Sequence, residues 1–273
     1  MTLRQLLVVA VLALALGGCV PAATPASGSA TRDPRVAGEV TVFAAASLTD
    51  AMRQLGAAFE QSQPGTRVTF NFGASSQLRV QLEQGARADA FASADQAQMD
   101  AARRAGALVE PERAFATNRL VIVTPRDNPA HIGGVQDLAR PGVKLVTSQP
   151  DVPIGQYTVR LLDRASLDPA FGAAFRPRVE ANIVSRETDV RAVVSKVQLG
   201  EADAAIVYAT DPTPQIRGQL QQIAIPDALN SVVSYPIAVA RGSNIPGGKA
   251  FTEFVLSPAG QQILAGWGFQ PPV

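Results

Sequence analysis

The chain has 273 residues, with 24 Lys or Arg against 23 Asp or Glu and a formal net charge of +1. That balance, without a basic stripe interleaved with aromatics, excludes nucleic acid as the expected partner. With one cysteine and one histidine, an internal disulfide is impossible and a Cys/His metal cluster is excluded.

Taken in order, the chain opens with Arg4 and an unbroken apolar run from Leu6 to Leu16. This run falls short of the roughly 20 residues a spanning helix needs, and with its basic flank it reads as a secretory signal over 1–18. Leu16-Gly17-Gly18-Cys19 resembles the bacterial lipobox. It predicts lipid on Cys19, and so a protein held on the outer face of the cytoplasmic membrane. Residues 19–38, rich in Pro, Ala, Ser, Thr and Gly, read as a flexible tether, since such composition cannot offset its ordering entropy.

From Glu39 onward, short apolar runs alternate with stretches of helical period. Strands are predicted at Val40–Ala44, Arg67–Phe72, Asp89–Ser93, Leu120–Val123, Lys144–Thr147, Ala204–Tyr208 and Pro236–Ala240. Helices are predicted at Leu48–Phe59, Leu78–Leu82, Gln96–Arg104, Gln156–Arg164 and Val190–Leu199, with two more divided near Pro258. Such alternation predicts an α/β protein whose mostly parallel sheets carry helices on both faces. In such sheets ligands bind where strand ends pass into helices. Leu120–Val123 and Ser234–Ala240 are read as the strands that cross between two lobes. One lobe would be 39–119 with 236–273, and the other 120–235.

Polar and small residues gather at several strand-to-helix passages. Ala44-Ala45-Ala46-Ser47 and Phe72-Gly73-Ala74-Ser75 leave room for a ligand to approach the backbone. Ser47 followed by Asp50 also fits a capping box, and Ser75 or Ser76 fits an N-cap. Helix starts offer unpaired N–H groups and the positive end of a dipole, so two of them facing one cleft would hold an anion without a cationic side chain. Pro153-Ile154-Gly155 and Thr188-Asp189-Val190 sit at equivalent places, with Thr188 or Asp189 able to cap. Tyr208 ends an apolar strand and on spacing alone reads as an ordinary packed tyrosine.

Together, Val42–Thr49, Phe72–Ser76, Ala88–Asp95, Val152–Gly155 and Ile206–Tyr208 resemble, in order, the periplasmic molybdate-binding proteins of bacterial ABC transporters (the ModA family). The likeness runs to Gly266-Trp267-Gly268-Phe269. It implies a two-lobed, class II binding-protein fold that closes on an anion in its cleft. Carried over by position, Ser47 and Ser75 would bind through hydroxyl and N–H, Ile154 and Val190 through N–H, and Tyr208 through its hydroxyl. Position 154 is commonly alanine in the family, so the isoleucine alters the pocket wall. The implied ligand is molybdate or tungstate, bound as an oxyanion with no protein atom on the metal, and no cofactor is implied. The implied partners are a permease with its ATPase, and the protein itself would be a monomer. Seven donors and no acceptor suit an unprotonated dianion.

Two rivals remain: a binding protein for another anion such as sulfate, or for a small organic solute, and, from another class, a periplasmic hydrolase. A sulfate-binding protein would share the architecture. A periplasmic hydrolase lacks a nucleophile elbow, because no Gly-x-Ser-x-Gly occurs, and His131 lies in a loop-like context. Gly242–Ala250 partly matches a phosphate loop but lacks its first glycine and the hydroxyl after Lys249; it reads as a turn before a helix.

Overall fold

A computed structural model describes residues 36–109 and 111–272. The signal segment, Cys19 and all but the end of the predicted tether lie outside the described residues. The tether ends earlier than predicted. Val36 is already buried in the core, and Gly38 opens the first strand with its N–H donating to the Gly65 carbonyl.

The elements run β1 Gly38–Ala45, α1 Thr49–Ser62, β2 Thr66–Gly73, α2 Ser75–Glu83, β3 Ala90–Ala92, α3 Gln96–Arg104, β4 Arg113–Asn118 and β5 Leu120–Pro125. They continue β6 Leu145–Ser148, α4 Pro153–Leu167, α5 Phe175–Ala181, β7 Ile183–Glu187, α6 Val190–Gln198 and β8 Ala205–Tyr208. The chain closes with β9 Leu220–Ala224, β10 Val233–Val239, α7 Ile245–Leu256 and α8 Pro258–Gly266.

Two sheets result. The first has the order β2-β1-β3-β10-β4: β1 runs parallel to β2 and β3, while β10 runs antiparallel to β3 and β4. In the second, β6 is parallel to β7, β5 is antiparallel to β8 and β9, and a parallel bridge between Leu145 and Ala204 joins the two parts. Its order is therefore β7-β6-β8-β5-β9, the same pattern of directions as in the first sheet. The sheets are mixed rather than mostly parallel, because in each the strand that enters from the other lobe lies antiparallel to its neighbours.

Neither apolar run expected to cross between lobes does so. β4 ends at Asn118 in the first sheet and β5 starts at Leu120 in the second, so the outward crossing is Arg119 alone. β10 lies wholly in the first sheet, and the return passes through 225–232.

Alternation along β1 builds two layers on the first sheet, as period-two side chains must. Val40, Val42 and Ala44 face the core that holds Leu48, Met52, Leu55, Phe59, Phe251 and Val255. Phe43 faces the opposite cluster with Leu78, Leu82, Phe91, Met99 and Ala102. Helices thus cover both faces. Gly247 and Gly248 allow α7 to lie close, since a Cβ there would meet Val40 and the Asp89 backbone. The phosphate-loop-like segment is in this way a packed helix start.

Candidate functional site

Where the two lobes meet, four chain turns close around one small cavity. Its lining includes Ala45, Ala46 and Ser47; Gly73, Ala74 and Ser75; Val152, Pro153 and Ile154; Asp189 and Val190; and Tyr208. All five residues picked from the sequence are brought together here.

The helix starts differ in how they are capped. Away from the cavity, Asn244 accepts from the Gly247 N–H and Ser257 from the Gly260 N–H, capping α7 and α8, while α5 starts with no side-chain cap. Helix α3, which begins beside the lining residue Ala94, is capped by Asp95 accepting from the Gln98 N–H. Facing the cavity, α2 begins after Ala74 and α4 after Val152, neither with a side-chain cap. Ser47 sits in a 3-10 turn, Ala46–Leu48, that leads into α1 and also has no side-chain cap. At α6 the Asp189 carboxylate accepts from the N–H groups of Arg191 and Ala192, which leaves the Val190 N–H outside the cap. Helix starts leave such donors over unless something takes them. Here three uncapped starts and Val190 lie in the lining of one cavity.

Neither serine acts as the cap its sequence context allowed. Ser75 Oγ accepts from the Ala94 N–H at 3.0 Å, and Ser47 Oγ accepts from the Tyr235 hydroxyl at 3.4 Å. A hydroxyl has one proton; with protein donors engaging the oxygens, both protons are left to point elsewhere. Tyr208 is 1 % exposed, and its hydroxyl has no hydrogen-bond partner. Burial holds its pKa well above 10, so it remains a neutral phenol with a proton to give. Ser76 and Ser148 also have buried hydroxyls without partners, but neither lines the cavity.

Beneath the cavity the chain's three tyrosines form an edge-to-face row. Tyr157 meets Tyr208 at 6.3 Å between centroids, and Tyr208 meets Tyr235 at 5.8 Å. Asn118, next to the crossing residue Arg119, donates to the Thr210 hydroxyl at 2.9 Å and to that of Tyr235 at 3.5 Å. Asp211 is fully buried and accepts from the Tyr208 N–H at 2.8 Å. Burial, opposed by the nearby Arg191 charge, raises its pKa to about 7. Tyr235, Asn118, Asp211 and Arg191 were given no role by sequence reasoning. The partners of Tyr235, Asn118 and Arg191 lie far away along the chain, and only the antiparallel placement of β10 brings Tyr235 to Ser47.

Ile154 is buried among core residues, so the bulk of its side chain is absorbed by packing while its N–H stays in the first turn of α4. Gly155 is required: a Cβ there would lie 2.1 Å from the Gln149 carbonyl oxygen. His131 is exposed in a turn with φ of 50°, remote from the cavity lining. Among the described residues no group of His, Cys, Asp and Glu is placed to hold a metal ion. The cavity offers hydroxyl and amide protons to a small guest rich in acceptor oxygens. Asp189 also lines it, with one carboxylate oxygen occupied by its own helix.

Comparison with known proteins agrees with this geometry. The family described as bacterial extracellular solute-binding protein matches residues 40–270. The molybdate-binding protein ModA of Mycobacterium tuberculosis is 39% identical over 260 residues, covering 95% of this chain and 93% of that protein. Among solved structures, the substrate-binding domain of a putative molybdenum ABC transporter from Clostridium difficile superposes with a TM-score of 0.63 at 29% identity, covering 86% of this chain and 99% of that one. The sulfate-binding protein SubI of Mycobacterium tuberculosis shares the fold, with a TM-score of 0.76 at 20% identity over 85% of this chain and 86% of that one. A two-lobed α/β frame, with donor-bearing helix starts meeting in its cleft, and relatives that align almost end to end place the chain in the ModA family of bacterial extracellular solute-binding proteins.

Proposed function

We infer that the chain captures molybdate outside the cytoplasm and hands it to an ABC transporter, a permease with its ATPase. The observation that carries this reading is the set of donors left at the cleft: α2, α4 and the turn into α1 start there with no side-chain cap, and the Asp189 cap of α6 leaves out the Val190 N–H. Ser47 and Ser75 supply hydroxyl and N–H, Ile154 and Val190 supply N–H, and Tyr208 supplies its hydroxyl. Seven donors meet four oxygens that carry no proton at neutral pH. Hydrogen bonds to a charged group contribute about 1.5–3 kcal/mol each. After desolvation and lobe closure, that supports a net affinity of roughly −8 to −12 kcal/mol. Tungstate, of the same shape and charge, binds alike. The relatives named for molybdate support the choice among oxyanions, and the lobes are taken as the parts built on the first and the second sheet, with the whole of β10 in the first.

Calorimetry of the mature domain against molybdate, tungstate, sulfate and phosphate tests the reading. Molybdate and tungstate should bind similarly, and sulfate at least about tenfold more weakly because it is smaller. Equal affinity for sulfate would remove molybdate as the assigned ligand, and no binding of any oxyanion would remove the function. The protein acts as a monomer tethered by lipid on Cys19, since two or more acyl chains anchor stably where one does not. Cys19→Ala should shift it from the membrane to the soluble fraction or leave it unprocessed; a mutant still labelled by lipid would refute the anchor.

A further inference from the structure

Arg191, the second residue of α6, leaves the lobe that carries it. Its Nη2 donates to Asp50 Oδ2 at 2.5 Å and its Nε to the Ala46 carbonyl at 3.2 Å. Asp50 lies in the first turn of α1, and Ala46 opens the 3-10 turn that holds Ser47. The ion pairs of Arg79, Arg103, Arg113, Arg140, Arg176 and Lys196, by contrast, each stay within one lobe. The Arg191 side chain is 28% exposed and that of Asp50 29%, so the pair is partly shielded from solvent screening.

The position is specific. Arg191 follows Val190 directly, and its own N–H is held by the Asp189 cap. One residue therefore fixes the turn that offers the Val190 N–H in one lobe and grips the turn that offers Ser47 in the other. When the lobes part, both contacts must break. On the opposite flank the corresponding contact is slight, a 3.5 Å approach of Gln98 Nε2 to the Asp151 carbonyl.

We propose that Arg191 and Asp50 form a latch between the lobes, and that Arg191 is a positioning residue that sets how slowly the bound oxyanion is released. The proposal rests on the anion-site reading above. A latch stabilises only the closed form, so its loss appears in the dissociation rate, while association onto the open cleft is little changed.

The two charges give the test its sign. If they act on the anion only through their fields, Arg191→Ala weakens binding and Asp50→Asn strengthens it. If they act as a latch, both weaken it. Molybdate affinity by calorimetry and release by stopped-flow are measured for the wild type, Arg191→Ala, Asp50→Asn and the double variant. Each single variant should lose about three- to tenfold in affinity, through faster release, and the double variant should lose no more than the worse single. Ligand-free melting should hold in all of them. Tighter binding by Asp50→Asn, or additive losses in the double variant, overturns the latch. If Arg191→Ala does not fold, the sign for Asp50→Asn decides alone. If the wild type binds molybdate and Tyr208→Phe weakens it while both latch variants match the wild type, the site stands and the latch falls. If the wild type binds no oxyanion, the site reading itself falls.

Discussion

A hydroxyl group without a partner is costly inside a protein, and Tyr208 carries one at 1 % exposure. An unmade hydrogen bond on a buried polar group costs about 1–3 kcal/mol, a cost that a ligand oxygen would relieve. Tyr208→Phe deletes that donor and keeps the ring that meets Tyr157 and Tyr235 edge-on. Molybdate affinity should fall by about ten- to a hundredfold, while ligand-free stability holds or rises, because the unsatisfied group is gone. Lower ligand-free stability with unchanged affinity would make Tyr208 a packing residue. Ser47→Ala is a poorer probe: Ser47 caps no helix, but it accepts from the buried Tyr235 hydroxyl, so its removal mixes folding with binding. The sequence could not reveal this. Ser47 followed by Asp50 has the spacing of a capping box, yet Asp50 turns to Arg191 across 141 residues.

Elements were legible where burial was complete. The apolar faces of β1, β5, β8 and β10 and the stripe of α1 announce themselves, and the structure puts Leu48, Met52, Leu55 and Phe59 in the core as their spacing requires. The strands left unread are β4, β7 and β9, and each is an edge strand. An edge has one neighbour and a wetter face, so polar residues are admitted: β9 reads Leu-Gln-Gln-Ile-Ala and has three exposed positions. The short α5 escaped for another reason. Pro177 stands in its first turn, where proline is tolerated but reads as a breaker. The site motifs were visible because they are local, each lying at one passage from strand to helix. What supports them was not, because Tyr235, Asn118 and Arg191 act across sheets. Gly155 joins the two levels: its missing Cβ lets α4 press against the end of β6, which fixes where the Ile154 N–H points.

At the scale of the whole molecule, the same burial that shapes the cavity floor leaves a charge problem at Asp211. Its carboxyl is fully buried, and one oxygen lacks a partner. Desolvation lifts its pKa from 3.8 to about 7, with the Arg191 charge and the Tyr208 N–H pulling it down and Asp189 pushing it up. In the unfolded chain the group titrates near its ordinary value. Between roughly pH 4 and 7 the folded state therefore binds a proton that the unfolded state does not, so stability from this group is complete at low pH and is lost as pH rises towards 7. Across that window each step of one pH unit removes about 1.4 kcal/mol, so the loss between pH 5 and 7 should be about 2–3 kcal/mol. Asp211→Asn keeps an oxygen for the Tyr208 N–H and cannot titrate. Asparagine brings its own fixed cost in an apolar setting, so the informative quantity is the change with pH and not the offset. Unfolding free energies from denaturant titration at pH 5, 6, 7 and 8, without ligand, should show the variant gaining on the wild type up to pH 7 and then running level. Parallel curves across the whole range would mean that Asp211 stays ionised inside the fold, and that the floor of the cleft carries a fixed negative charge beneath an anion site.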